Sequence, residues 1–424
     1  MTAEAFDAVA ARAALDALAD TPVTPLAKGF AGLAGPTTPR ALVESGVRVT
    51  DERFSTPSLV VSAPAVRHNI AVLADFCRSR DVQLAPHAKT TMSPELFVAQ
   101  LEAGAWALTA ANPWQAAVFV AHGARRVLIA NEVADPGGLA ALRRLLDTTE
   151  GLEVLVHVDS TRGVELLAPL VGRRLRLLVD VGVAQGRTGV RSGADVVSVA
   201  RAAHAAGLEV AGVSCFEGPV TAPTPELVVD GVRELCRSVR LSGRQLAELG
   251  LLGGGLVLSA GGSHFFDVVA EELWRDPLPG TSVVVRSGAY VVHDHGVYLR
   301  DSPSLRGADL PEFVPALRVR TTVVSAPEPG LVLLNAGRRD VSFDEGLPVV
   351  LAADRGGEAV DVREAEVVAL NDQHGFLRVT GEPLQVGDTV VLGISHPCTA
   401  MDKWQHALLA DDEGRVTGVA HTFF

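Results

Sequence analysis

The chain has 424 residues, with 37 Lys or Arg against 50 Asp or Glu, and a formal charge of −13 on a composition that is 48% hydrophobic. So apolar a composition excludes a disordered chain, and so acidic a balance repels phosphate backbones and anionic lipid, which leaves small molecules as the expected partners. No apolar run approaches the roughly 18 residues of a membrane span, the Ala-rich start carries Glu4 and Asp7 in place of a basic leader, and Cys77, Cys215, Cys236 and Cys398 are scattered without a CxxC pair. A cytoplasmic protein is therefore expected.

At roughly 150 residues per domain the length allows two or three units, although a (β/α)8 barrel can use about 250 as one. Residues 1–50 hold an Ala-rich helical stretch, Ala3 to Leu18, followed by Pro22, Pro25, Gly35 and Pro36, and read as an N-terminal extension. The run Ser58–Ser62 is a strand that either neighbouring domain could pair. From Gln83 onward, β-branched runs alternate with helical patterns such as Leu139–Asp147 and Pro225–Leu249. The expected strands are Gln83–Pro86, Ala107–Ala110, Val127–Ala130, Glu153–Val158, Arg176–Val181, Glu209–Ser214, Leu256–Ser259 and Val283–Arg286. Eight such alternations over residues 51–300 predict an α/β fold, a (β/α)8 TIM barrel, with a doubly wound sheet as the rival of the same periodicity. Residues 301–424 change texture. Ala316–Ser325, Leu331–Leu334, Val349–Leu351, Glu366–Leu370, Gly375–Val379 and Thr389–Ile394 are short runs separated by Gly, Pro, Asn and Asp, and predict a β-rich C-terminal domain.

Reactive groups of a parallel barrel lie just past the C-terminal ends of its strands. After the first strand comes Pro86-His87-Ala88-Lys89-Thr90. A lysine is ordinarily solvated and charged, but desolvated at a barrel mouth it becomes an amine nucleophile for a Schiff base. After the seventh strand, Gly261, Gly262 and Ser263 form either a plain tight turn or a nest of N–H donors for an anion. With a lysine after strand one, the second reading becomes a phosphate grip on a cofactor whose aldehyde reaches Lys89. After the fifth strand, Arg187 can cap a helix, pair with Asp180, or hold a phenolate oxygen such as a pyridoxal ring presents. Near the C-terminus, His396 and Cys398 stand two residues apart. In extended chain they share a face, and imidazole plus thiolate favours zinc, with open positions that imply catalysis. A buried histidine and an inert cysteine beside a turn is the plainer reading of that pair.

Taken jointly and in this order, the stretches resemble the fold-type III pyridoxal-phosphate enzymes, and within them the D-serine dehydratase and D-threonine aldolase group. Pro86 to Thr90 is similar to its PHxKT motif, Asp180 to Val190 to its D-x-G-x(4)-R-x-G-V pattern, Ser259 to Ser263 to its phosphate loop, and His396-Pro397-Cys398 with Asp402 and Trp404 to its metal segment. The resemblance spans residues 55 to 410. It implies that Lys89 carries pyridoxal 5'-phosphate, that His87, Arg187, Phe216, Gly261, Gly262 and Ser263 line the cofactor, and that His396 and Cys398 hold Zn2+. Alanine racemase shares the architecture but has no reason to carry the His-x-Cys pair. Two departures stand out. Residues 1–50 precede the usual family start, and Phe216 in Cys215-Phe216-Glu217-Gly218 replaces a tyrosine common in relatives.

The activity implied is that of a lyase, a PLP- and zinc-dependent dehydratase/deaminase of D-serine-like β-hydroxy D-amino acids that gives a 2-oxo acid and ammonia. His-x-Cys, rather than the His-x-Asp that resembles the aldolases, favours it over D-threonine aldolase-type cleavage. An amino-acid racemase and a non-enzymatic PLP carrier are further alternatives. The expected partners are a small D-amino acid and a second copy of the chain in a homodimer, with no nucleic acid and no membrane.

Overall fold

A computed structural model describes residues 5–424. Eight parallel strands, Gln83–Leu84, Leu108–Ala110, Arg126–Ile129, Glu153–Val158, Leu175–Val181, Glu209–Cys215, Val257–Ala260 and Ser282–Val285, form one curled sheet in which the first pairs with the eighth. The gap between the first two is closed by a parallel bridge, His87 to Thr109, by the Trp106 N–H donating to Leu84 O at 2.7 Å and by the Thr109 N–H donating to Pro86 O at 2.9 Å. The sheet is a closed barrel, as expected, and its seam lies at the lysine turn.

The strands read as near-continuous apolar runs because both faces are buried. Ala85, Ala107, Leu128, Leu155, Leu178, Ala211, Val257 and Val284, one from each strand or its flank, fill the interior. Alternate residues such as Val127, Ile129, Val154 and Val156 pack outward in the main core. The crossover helices begin at built stops: Asp135 accepts from the Gly138 N–H at 2.7 Å to open Pro136–Thr148, and Thr224 opens Pro225–Glu248, each with proline in the first turn. No helix of the described residues is long and apolar enough to cross a membrane.

The C-terminal region is a ten-stranded, mainly antiparallel sheet. Ser58–Ser62 belongs to it, pairing antiparallel with Leu317–Glu328 and parallel with His406–Ala410. His406–Ala410 and Val416–His421 were not expected, because the first is built of alanine and leucine, good helix formers, and the second is interrupted by Gly418. Glu358–Val360, also unexpected, is only three residues long.

Ala3 and Glu4 of the expected first helix lie outside the described residues; the helix runs Ala8–Ala19 from an Asp7 cap. Beyond it Val23, Phe30, Leu33, Leu42 and Phe54 pack with Val60, Leu408, Val416 and Val419, so the extension lies against the outer face of the C-terminal sheet.

Candidate active site at the barrel mouth

The turn Ala88–Thr90 follows the first strand directly and holds Lys89 between buried Ala88 and Thr90. Burial lowers the Lys89 pKa, Arg187 and Arg286 push it the same way, and Cys398 opposes them. His87, whose Nδ1 lies 3.1 Å from Thr109 O at the seam, is held neutral by burial and by the charges of Lys89 and Arg286. A Cβ on Gly288 would meet His87 O at 2.4 Å, so the eighth-strand loop can approach this turn only through glycine.

The ends of strands five to eight complete the mouth. Asp180 takes the Thr188 hydroxyl at 3.0 Å, while the Arg187 guanidinium is exposed and lies 4.1 Å from the centroid of the Phe216 ring. Arg187 is thus neither a helix cap nor the partner of Asp180. Ser259 lies inside its strand and bonds to Val284 O and Arg286, so its hydroxyl serves the barrel interior and not the loop that follows. In that loop the Gly262 N–H donates to the Glu217 carboxylate at 2.5 Å, and the Gly288 N–H donates to Ser263 Oγ at 3.2 Å. One N–H of the Gly261–Ser263 turn is therefore already bonded to a carboxyl oxygen.

Sequence reasoning missed Arg286. Its guanidinium is buried and donates to Ser214, Ser259 and Cys215 O, with Nε left unpartnered. The available signal was a cation ending an apolar run. Also missed was the group formed by Glu132, past strand three, with His157 and Asp180 near the ends of strands four and five, whose ligand-type atoms lie within 4.8 Å of one another. Burial, and after it the charges of Arg286 and Arg187, hold the His157 pKa well below the usual histidine range. Burial raises Glu132 to about 7 and Asp180 to about 6. An acid whose folded pKa is raised contributes stability present below its unfolded value and lost as pH rises through the folded one. The cofactor-free protein is therefore expected to lose stability between about pH 4 and 7, and Glu132→Gln to flatten that loss in urea melts taken across this range. Melts with an unchanged slope would show that Glu132 is not protonated in the fold.

His396 and Cys398 come from the other domain. The segment is not extended as expected: Cys398 opens a helical turn, Cys398–Met401, and Pro397 has ψ −34. The two side chains nevertheless remain in hydrogen-bond contact, and that contact with Cys398, supported by Asp344, raises His396 to about 9. The Cys398 thiol donates to Thr90 Oγ1 at 3.5 Å, next to Lys89. Asp344, for which the sequence carries no signal, sits 2.6 Å from His396 Nδ1 and accepts from the Thr399 hydroxyl at 2.6 Å.

Residues 316–410 match the family described as "Putative serine dehydratase domain". A D-threonine aldolase of an Arthrobacter species is 29% identical over 332 residues, 77% of this chain and 81% of that protein. A D-threo-3-hydroxyaspartate dehydratase of a Delftia species is 28% identical over 76% of this chain and 83% of its own length. The crystal structure of D-threonine aldolase from Filomicrobium marinum superposes with a TM-score of 0.75 over 87% of this chain and 95% of that one, at 24% identity. The chain is thus similar in sequence to D-threonine aldolase and D-threo-3-hydroxyaspartate dehydratase, and its C-terminal region to the serine dehydratase family, which supports the resemblance to the fold-type III pyridoxal-phosphate enzymes. Pyridoxal phosphate is the family's cofactor, and the residues at the mouth fit it. A desolvated lysine, a glycine turn with an N–H bonded to a carboxyl oxygen, an arginine over an aromatic ring, and unpartnered buried atoms on His157, Asp180 and Arg286 all converge there.

Proposed function

We propose that this lyase is a pyridoxal-phosphate- and zinc-dependent dehydratase of D-serine-like β-hydroxy D-amino acids, releasing a 2-oxo acid and ammonia. The single observation that carries the reading is Cys398 at 3.5 Å from Thr90, which brings the His-x-Cys pair of one domain beside the lysine turn of the other. When bound, pyridoxal phosphate supplies the electron sink and zinc a Lewis acid for a poor leaving group. The depressed pKa of Lys89 suits its amine to attach the cofactor and then to hold the proton taken from the substrate's Cα. His396 and Cys398 would hold the zinc, and Asp344, bonded to His396 Nδ1, would orient the ring for it. Arg187 would hold the phenolate oxygen and Gly261, Gly262 and Ser263 the phosphate, with Phe216 and His87 bordering the ring.

Retro-aldol cleavage is the second reading, favoured by the likeness to D-threonine aldolase. The dehydratase is preferred because cysteine, not aspartate, follows His396 by two residues. With D-serine and zinc the protein is expected to release ammonia, and with L-serine none; turnover of L-serine alone would overturn the assignment. The cofactor pocket has its own test. Losing one charge-assisted contact costs about 1.5–3 kcal/mol, roughly 10- to 150-fold in affinity. Arg187→Ala should weaken cofactor binding by that factor. Gly262→Asp should do the same, since a Cβ there would already lie 2.9 Å from the Glu217 carboxylate. Spectral titration giving parental affinity for both variants would show that the pocket lies elsewhere.

A further inference from the structure

The N-terminal extension, which the reading above leaves without a task, sends one cation into the metal-bearing part of the C-terminal domain. The loop that carries it is fixed at both ends. Val23 and Thr37 exchange two backbone hydrogen bonds at 2.7 and 2.9 Å, and buried Phe30 packs edge-on against Phe54 and His406. Between them Lys28 Nζ lies 2.7 Å from Asp340 Oδ1, donates to Arg339 O at 2.8 Å and to Lys403 O at 3.5 Å, and sits 3.8 Å from the centroid of the Trp404 ring. An ammonium has three N–H groups and one charge, and here all are engaged.

Those partners lie on two segments only, residues 337–344 and 395–404. Asp340 is 1% exposed, caps the Gly337 N–H at 2.8 Å, and presents its backbone oxygen to Trp404 Nε1 at 3.0 Å. Four residues further on the same segment, Asp344 grips His396 and Thr399, and between the two Ser342 contacts Ser395 and accepts from the His396 N–H at 3.1 Å. One segment thus carries His396 and Cys398, the other carries the carboxylate that orients His396, and Lys28 joins them from outside both. Removing its charge leaves the buried Asp340 carboxylate uncompensated, a condition that forces rearrangement of the segment holding it.

We propose that Lys28 is a positioning residue for the zinc site: the extension is a strap whose ammonium locks the ligand segment and the orienting segment in register. This rests on the reading of His396 and Cys398 as zinc ligands. Outer contacts of a metal site typically change its affinity 10- to 100-fold, and Lys28→Met is expected to weaken zinc by a factor in that range. Lys28→Arg, which keeps the charge, should recover most of it, and cofactor affinity should be unchanged in both.

The experiment is competition for zinc between a chromophoric chelator and the holoenzyme, its Lys28→Met and Lys28→Arg forms, with melting temperatures recorded in parallel. A contact that only stabilises the fold predicts a lower melting temperature at unchanged zinc affinity. That result, in a Lys28→Met protein that keeps its cofactor, overturns the strap while leaving the zinc site intact. If the unsubstituted protein takes up no zinc, the metal reading fails and the strap fails with it. Should Lys28→Met not fold, Lys28→Gln, which keeps a donor without the charge, is measured in its place against the same two outcomes.

Discussion

Replacing Lys89 with alanine is expected to abolish covalent capture of the cofactor and to cut turnover by about 10²–10⁴-fold from loss of the proton-transfer group alone. The barrel should survive the change. Lys89 lies in a turn past the strand, and the inner layer from Ala85 to Val284 does not include it. The measurement is borohydride reduction followed by mass analysis of the Lys89-containing peptide. A Lys89→Ala protein that still fixes the cofactor would assign the attachment to another residue. The same experiment bears on the electrostatics of the mouth: burial with Arg187 and Arg286 nearby favours the neutral amine, which is the form that can attack an aldehyde or take a proton.

Cys398→Ala should separate the two halves of the site. The proposed cofactor contacts belong to the barrel and the proposed zinc ligands to the C-terminal domain, so the variant is expected to bind pyridoxal phosphate normally and to lose zinc. Loss of a Lewis acid worth several kcal/mol corresponds to a fall on the order of 10³-fold in turnover per bound cofactor. Cys398 is only partly buried, and its thiol meets polar side chains, Thr90 and His396, so the folded state should be little disturbed. If it is merely a packing residue, the variant will be less stable but will turn over at the parental rate per folded molecule.

Much of the barrel was legible because parallel strands buried on both faces must be continuous apolar runs, and such runs separated by helical patterns leave few other architectures. The eight expected strands overlap the eight observed, with ends shifted by one or two residues, as at Leu256–Ser259 against Val257–Ala260. Ser58–Ser62 could not be placed from sequence, because its partners, Leu317–Glu328 and His406–Ala410, lie some 250 to 350 residues away and strand pairing over that distance leaves no local mark. His406–Ala410 was missed for a different reason: alanine and leucine favour helix, and pairing on both edges with Ser58–Ser62 and Val416–His421 overrides that preference. Within the site, Lys89, Arg187 and the Gly261–Ser263 turn were readable as polar groups next to strand ends. Asp344 was not, since what marks it is contact with His396, 52 residues on. Glu132 and His157 looked like any polar residue at a strand end, and only the closing of the barrel brings them to Asp180.

D-threonine can leave this site by either of two routes, and the products on that one substrate test the proposed chemistry most directly. Elimination of the β-hydroxyl gives 2-oxobutanoate and ammonia; cleavage of Cα–Cβ gives glycine and acetaldehyde. The measurement is the ratio of 2-oxobutanoate to glycine after incubation with the zinc-loaded holoenzyme, repeated after chelation and after zinc is restored. The dehydratase reading predicts 2-oxobutanoate and ammonia in equal amounts, lost on chelation and regained with zinc. Glycine and acetaldehyde as the main products, or full 2-oxobutanoate formation by the metal-free protein, would contradict it.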